Sequence, residues 1–513
     1  MLRLLSACGL VLFLAACATL PAELPQGPEE FALAPQPDGL LASVEKSFAM
    51  PVGPDVSGFR LLASNEEGLR WRLALIDSAR HSLDLQYYVW WGDEAGALLI
   101  KRVIMAADRG VRVRIIVDDL STMLADATNP KLRDGAAAVI DAHPNIEIRL
   151  FNPWRARSLV GRVFESVLHI ERVNQRMHNK LMIADNRAAV IGGRNIGNEY
   201  FGLSPEFNFH DLDTLGIGPV ARQASGVFDR FWNSELVAPA GALGLEATPE
   251  DLEAGVALVT RRLDASPVLS HFAIEARDWQ VELAELPDAL RTGTSRVYTD
   301  SPEEDGVDHL MPHAIRELLE SAEHEVLITN AYIIPGEPTI EWLKSQTARG
   351  VRYRILTNSL ASHDVPAVNA HYKLWRRDLL QAGVELYEMR PDAAIQPLLV
   401  DTPPVTAEFM GLHTKAVVVD GKRAFIGSMN FDPRSWRINS EMGVIVESTG
   451  LAADLQSAIA RDMQPENAWQ VSLAPDGQML WTIDDEVWRW QPARSFWQRV
   501  EDFIFMAMPK ELY

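Results

Sequence analysis

A block of this sequence occurs twice with its internal spacing intact. His178-Asn179-Lys180, Asp185 and Gly192-Gly193-Arg194-Asn195 recur as His413-Thr414-Lys415, Asp420 and Gly427-Ser428-Met429-Asn430. Positions 178, 180, 185 and 195 return at 413, 415, 420 and 430, a constant offset of 235. A chain duplicated in this way is constrained to fold as two similar lobes, and it supplies each side chain of the block in pairs. Two histidines can run a two-step phosphoryl transfer without a metal, one as nucleophile and one as proton donor.

The repeat extends beyond the block. In the first copy a helical pattern over 66–79 precedes the apolar run 83–90, and a second helix leads to Arg109-Gly110 and the alternating run 111–117. In the second copy a helix over 312–322 precedes 326–329, and a later helix leads to Arg349-Gly350 and 351–356. Glycine ends a helix in left-handed geometry, and a β-branched run then starts a strand. Each half therefore reads strand–helix–strand, a parallel crossover unit. Residues 146–151 and 384–387 continue the parallel. The block itself falls on two strands per half, 180–184 and 188–192, then 415–419 and 423–426, with turns at Asp185-Asn186 and Asp420-Gly421. The fold class is α/β, with a first domain over about 57–240, a connecting segment over 241–294, a second domain over 295–465 and a tail over 466–513. Within the connecting segment, 249–257 reads as helix and 279–286 as strand. In the tail, 478–483 reads as strand. The aromatic, amphipathic stretch 495–509 suits either a membrane interface or, preferably, a helix packed on the core.

Each member of the block has a chemical use. Histidine is nucleophilic toward phosphorus and donates protons near neutral pH. A lysine two residues on along a strand shares its face and can neutralise a phosphate oxygen. Asn195 and Asn430 offer amide donors to the same oxygens. Gly192-Gly193 lacks the G-x-G-x-x-G spacing of a dinucleotide loop. The cluster His210, Asp211, Asp213 has neither an H-x-H nor an H-E-x-x-H layout, so no metal site is expected.

The net charge of −22 disfavours a nucleic-acid partner, which normally meets a basic face. At the N-terminus Arg3 precedes an apolar run from Leu4 to Ala16, too short to span a bilayer comfortably and laid out like a secretory signal. It ends Leu14-Ala15-Ala16-Cys17, which resembles the bacterial lipoprotein processing box, so residues 1–16 are expected to be cleaved and Cys17 lipidated. The chain has only Cys8 and Cys17, so that processing leaves no disulfide. A Pro-rich segment, 17–56, follows and reads as a tether off a membrane, with a packed strap the alternative for 31–48. The expected location is the bacterial cell envelope, anchored by lipid and facing the periplasm.

The repeated block is the H-x-K-x4-D signature of the phospholipase D superfamily, and the chain resembles that superfamily over nearly all of its mature length. The resemblance implies two α/β lobes about a pseudo-twofold axis, with the active site between them and no cofactor. It implies His178 as the nucleophile that becomes a phosphohistidine and His413 as the acid/base. Lys180, Lys415, Asn195, Asn430 and Ser428 would hold phosphate. Asp185 and Asp420 complete the signature and tend to be structural. Gly193 departs from the superfamily, which often has serine there, as Ser428 is in the second copy. The family's histidine-orienting carboxylate, roughly thirty residues downstream, maps to Asp213 and Glu441, with Asp211 the competitor of Asp213.

Within the superfamily the chain is similar to bacterial cardiolipin synthases, especially the C-type, at Gln175-Arg176-Met177-His178-Asn179-Lys180, Gly192 to Gly197, His210-Asp211-Leu212-Asp213, Thr357 to Leu360, Asp364 to Val368 and Glu466 to Gln470. That implies phospholipid substrates and transfer of a phosphatidyl group to phosphatidylglycerol from a second phosphatidylglycerol or phosphatidylethanolamine. Hydrolysis to phosphatidic acid uses the same residues. A superfamily nuclease is disfavoured by the charge. Tyr87, Tyr88, Trp90 and Trp91 are candidates to line an apolar approach to the site.

Overall fold

A computed structural model describes residues 24–121, 135–157, 159–243, 247–302 and 309–506. The expected signal segment and Cys17 lie outside these residues. The strands of the first half are β1 (Ser57–Leu62), β2 (Ser82–Tyr87), β3 (Arg112–Asp118), β4 (Ile146–Phe151), β5 (Lys180–Ala184), β6 (Ala188–Gly192), β7 (Phe207–His210), β8 (Asp213–Ile217) and β9 (Val237–Pro239). Those of the second are β10 (Arg291–Thr299), β11 (Glu325–Asn330), β12 (Arg352–Asn358), β13 (Glu385–Met389), β14 (Phe409–Leu412), β15 (Lys415–Val419), β16 (Arg423–Gly427), β17 (Met442–Glu447), β18 (Ala468–Leu473), β19 (Met479–Ile483) and β20 (Glu486–Trp488).

Strand pairing writes the duplication out. Lobe one runs β4-β3-β2-β5-β6-β8-β1 and lobe two runs β13-β12-β11-β15-β16-β17-β10, each with a parallel half and an antiparallel half. The equivalent edge strands β1 and β10 pair antiparallel at Ser57–Gly293, Gly58–Thr292 and Phe59–Arg291, a short ladder between the two halves. The sheets then face each other. Leu181, Ile183, Ala189 and Ile191 of lobe one share a core with Ala416, Val418, Ala424 and Ile426 of lobe two. Alternate residues of the same strands, Met182 and Val190, or Val417 and Val419, point outward into separate helix-covered cores. Sheets buried on both faces explain why these strands read as nearly continuous apolar runs.

Local signals behave as their chemistry requires. Ser64 accepts from the Glu67 N–H and starts the helix Asn65–Ser78. Gly110 and Gly350, at φ 93° and 92°, end the crossover helices before β3 and β12.

Several expectations differ from the fold. Residues 279–286 are not a strand: Gln280–Ala289 is a helix that buries Leu283 and Leu286 in the outer core of lobe one. The apolar positions there also satisfy a helical period, and the indole of Trp279 before them donates to Asp77 at 2.6 Å. The connecting segment is therefore part of lobe one's outer layer, and lobe two's sheet begins at Arg291 rather than 295. The tail is not a separate unit either, because β18 adds to β13 and extends the lobe-two sheet. The Pro-rich segment from residue 24 onward is a strap. Glu30 and Ala32 N–H groups donate to Asn233 and Asp229, and the helix Leu40–Val52 buries Leu41, Val44 and Phe48. Finally, 496–505 is helical, but Gln498 and Asp502 are the residues it buries, so its aromatic side is not the packed one.

Candidate active site

The parallel strands of each lobe end at the interface between the halves, where α/β sheets place ligands. Both H-x-K segments enter there. His178 precedes β5 and His413 precedes β15, and both are buried. Each is pinned by the other lobe. His178 N–H donates to the Ser440 carbonyl at 2.8 Å, and Ser440 N–H to the Arg176 carbonyl at 2.9 Å. Equivalently, His413 N–H donates to the His210 carbonyl at 2.8 Å, continuing the parallel β7–β14 pair. From behind, Asp118 accepts the Met177 N–H at 2.9 Å, and Asn358 holds both backbone groups of Leu412.

This cross-stitching sets the histidine partners. His178 Nδ1 lies 2.9 Å from Glu441 Oε2, and His413 Nδ1 lies 2.6 Å from Asp211 Oδ2. Each carboxylate comes from the opposite lobe, leaving both Nε2 atoms available to a substrate. Asp213 does not take the orienting role. It sits one register step further, buried between Arg72 (2.9 Å) and Arg194 (3.0 Å), which hold its carboxyl below the usual range despite burial. Register shows why. Asp213 pairs with Gly192, and the position that pairs with Gly427 is Gly443, so Asp211, two residues earlier, is the equivalent of Glu441.

The departure at Gly193 follows from the same geometry. A Cβ there would come within 2.4 Å of Asp211 Oδ1, and one at Gly192 within 2.0 Å of Asp213 Oδ1. The shorter acid of lobe one needs the space that Ser428 fills in lobe two. Ser428 is consequently not free for phosphate: its hydroxyl donates to Glu441 and accepts the Met442 N–H. Asn195 is engaged as well, donating to Tyr200 OH at 3.0 Å and accepting from Val89 N–H. The Asn430 carboxamide oxygen is buried and has no protein partner among the described residues. Asp185 and Asp420 lie at the far ends of β5 and β15 from the histidines. Each bonds three successive backbone N–H groups, those of Arg80, His81 and Ser82 or of Glu323, His324 and Glu325, from a φ of 52°. They touch no part of the site.

Lys180 and Lys415 curl back so that each Nζ donates to the carbonyl of its own motif histidine. Tyr88 meets His178 edge-on at 5.0 Å and Tyr200 meets His413 at 5.2 Å. The Tyr332 ring lies 5.9 Å from Lys415 Nζ. Of the expected aromatic approach only Tyr88 contacts the centre. Tyr87 is a core residue bonded to Arg72, and the Trp90 indole donates to Gly96. Asp118 and Asn358 close β3 and β12, Tyr332 follows β11 and Tyr200 sits in the short helical turn Asn198–Tyr200; of these only Asn358 fell in a stretch that the sequence singled out.

Two lysines and two histidines in one buried space repel charge. Burial, then Lys180, Lys415 and His413, holds His178 well below its ordinary range. Burial and Lys415 push His413 down to about 4 against the pull of Asp211. Burial likewise pushes Lys415 down to about 8 and raises Glu441 to about 7. Positive charge is disfavoured in this cluster, and a phosphodiester anion would offset that. Of the His210, Asp211 and Asp213 cluster, His210 pairs with Asp462 at 2.8 Å. No metal-holding group of His, Cys, Asp and Glu occurs among the described residues.

Comparison with known proteins agrees with this architecture. A family described as cardiolipin synthase, PLD-like domain, matches residues 73–232 and 315–463. Cardiolipin synthase C of Escherichia coli (strain K12) is 35% identical over 479 residues, which is 89% of this chain and 96% of that protein. Cardiolipin synthase A of Pseudomonas syringae pv. syringae (strain B728a) is 26% identical, covering 79% and 68%. Among solved structures, phosphatidylserine synthase from Haemophilus influenzae Rd KW20 superposes with a TM-score of 0.56 at 13% identity, covering 84% of this chain and 91% of that one, a likeness of fold. With both halves matched and both H-x-K segments in one cleft, the chain belongs to the phospholipase D superfamily, in the family of cardiolipin synthases.

Proposed function

We propose that this chain makes cardiolipin, moving a phosphatidyl group onto phosphatidylglycerol from a second phosphatidylglycerol or from phosphatidylethanolamine. The observation that carries the reading is the paired, cross-lobe His–carboxylate arrangement, in a chain 35% identical to a cardiolipin synthase along most of its length. Glu441 occupies His178 Nδ1, so the neutral Nε2 attacks phosphorus. The N–P bond forms as the P–O bond to the leaving alcohol breaks. His413, oriented by Asp211, gives its Nε2 proton to that oxygen. His413 then takes the proton of the glycerol hydroxyl of phosphatidylglycerol, whose oxygen attacks phosphorus and releases His178. Lys180, Lys415 and Asn430 stabilise the phosphoryl oxygens. The bound anion lifts the pKa of His413, which burial and Lys415 hold too low for an acid. No cofactor enters these steps. The protein works at the bacterial envelope, anchored through Cys17. No helix of the described residues is long and apolar enough to cross a membrane.

The test is lipid analysis by mass spectrometry after incubating the purified protein with phosphatidylglycerol, with and without phosphatidylethanolamine. Cardiolipin is expected, and its loss in His178→Ala. Phosphatidic acid as the only product would replace transfer with hydrolysis, and no turnover would remove the enzymatic reading.

A further inference from the structure

Two helices of this fold are inside out. In Leu159–Leu168 the buried residues are polar. Arg162 and Glu165 are covered, Glu165 accepts the Arg155 and Ala156 N–H groups, and Ser166 accepts from the Trp154 indole. Its outward side is Val163, Phe164 (65% exposed), Val167 and Leu168 (73%), followed by exposed Ile170. In Phe496–Phe505, Gln498 donates to the Leu360 carbonyl, and Asp502 receives Asn369 and Lys373. Phe496, Trp497 (71% exposed), Phe503 (69%) and Ile504 face out, beside exposed Trp490 and Leu374. A soluble helix normally buries its apolar stripe and wets its polar one. Here protein hydrogen bonds engage Glu165, Ser166, Gln498 and Asp502 on the polar stripes, and among the described residues the apolar stripes are left uncovered.

Both helices stand at the end of the sheets that holds the histidines. The first follows β4 and runs, through Ile170–Asn174, into His178. The second is seated on residues 360–373, just beyond β12, where His363 stacks on Tyr332 beside Lys415. The described chain begins at the same end. Leu24 packs with Val117 and Leu150, at the closing residues of β3 and β4. The segment before it contains the apolar run Leu4 to Ala16. The described chain thus begins at the end of the sheets where the two uncovered apolar faces lie.

We infer that the outward faces of Leu159–Leu168 and Phe496–Phe505 lie in the interfacial layer of a phospholipid bilayer and seat the cleft on it. Choosing a bilayer as the occupant rests on the phospholipid reading of the site. Aromatic and aliphatic side chains at headgroup depth let a diacyl substrate present its phosphate to His178 while its tails stay among lipids.

The test uses the full-length chain in vesicles of phosphatidylglycerol and phosphatidylethanolamine. A photoreactive benzophenone amino acid replaces Phe164, Phe503 or, as control, Val281 (68% exposed, on a helix packed over lobe one's outer layer). Each adduct is identified by mass spectrometry. Phospholipid adducts at 164 and 503, at least about tenfold above those at 281, are expected, the factor that burial of one large apolar side chain provides. Adducts to a second copy of the chain, or lipid labelling equal to that at 281, would overturn the proposal. Repeating the labelling with His178→Ala separates the two readings. Lipid adducts that persist while wild-type protein makes no cardiolipin would leave the surface standing and remove the function.

Discussion

At the scale of the residue, neighbouring acids with similar sequence credentials have opposite duties. Asp211 bonds His413 and Asp213 bonds two arginines, although both are fully buried and two positions apart. Asp211→Asn should keep the fold and lower kcat roughly a thousandfold, because the imidazole loses the partner that fixes its tautomer. Asp213→Asn should instead cost about 3–5 kcal/mol of stability, since it strands buried Arg72 and Arg194. Urea midpoints and turnover on the same samples separate these outcomes; a stability loss confined to Asp211→Asn would refute the assignment. Lys415 makes the complementary case. Its pKa falls from the ordinary lysine value to about 8 because burial penalises the ammonium. The folded state therefore holds this proton less tightly than the unfolded chain. The penalty is full below pH 8 and vanishes as pH rises toward 10.5. Lys415→Met should abolish turnover yet stabilise the protein by up to about 3 kcal/mol at pH 7, and the gain should shrink above pH 9. Thermal melts across that range measure it.

At the scale of the element, the signature's aspartates belong to the turns. Asp420 accepts three backbone N–H groups at the start of β11, which hold its carboxyl below the usual range despite burial. Its stabilising contribution is present above the unfolded carboxyl pKa and is lost as pH falls through the folded one. Asp420→Ala and Asp185→Ala should each cost about 2 kcal/mol, with kcat of the folded fraction within a factor of a few of wild type. A loss of kcat without a loss of stability would return them to the chemistry. Most elements were legible from local pattern: the crossover helices, their glycine stops and the paired hairpins all carry strong periodic signals. Residues 279–286 misled because a short apolar alternation fits a strand and a helix alike. The helix Phe496–Phe505 misled because amphipathicity reports that a helix has two sides and not which side is buried.

At the scale of the whole molecule, the site exists only because the lobes are threaded through each other. The bridge between Met177 and Ser440 and the β7–β14 pair carry each H-x-K segment to the other lobe's acid. If His178 is the nucleophile, Glu441→Gln, in lobe two, should suppress the covalent intermediate on a lobe-one histidine. Asp211→Asn should let the intermediate form slowly and then persist. Rapid quenching with lipid labelled at phosphorus reads both. Labelling that survives Glu441→Gln and disappears in Asp211→Asn would exchange the histidines' roles.

The sequence by itself determined that there are two lobes, that both are α/β, and which histidines and lysines come in pairs. Those properties follow from a repeat and from local periodicity, and neither depends on how the halves meet. Partnership was decided by the tertiary structure. Glu441 turns to His178 rather than to its own lobe's histidine, Asp211 displaces Asp213, and Ser428 serves a carboxylate. Each of those contacts joins residues 13 to 263 positions apart through strand register and lobe packing, and no local pattern encodes that geometry.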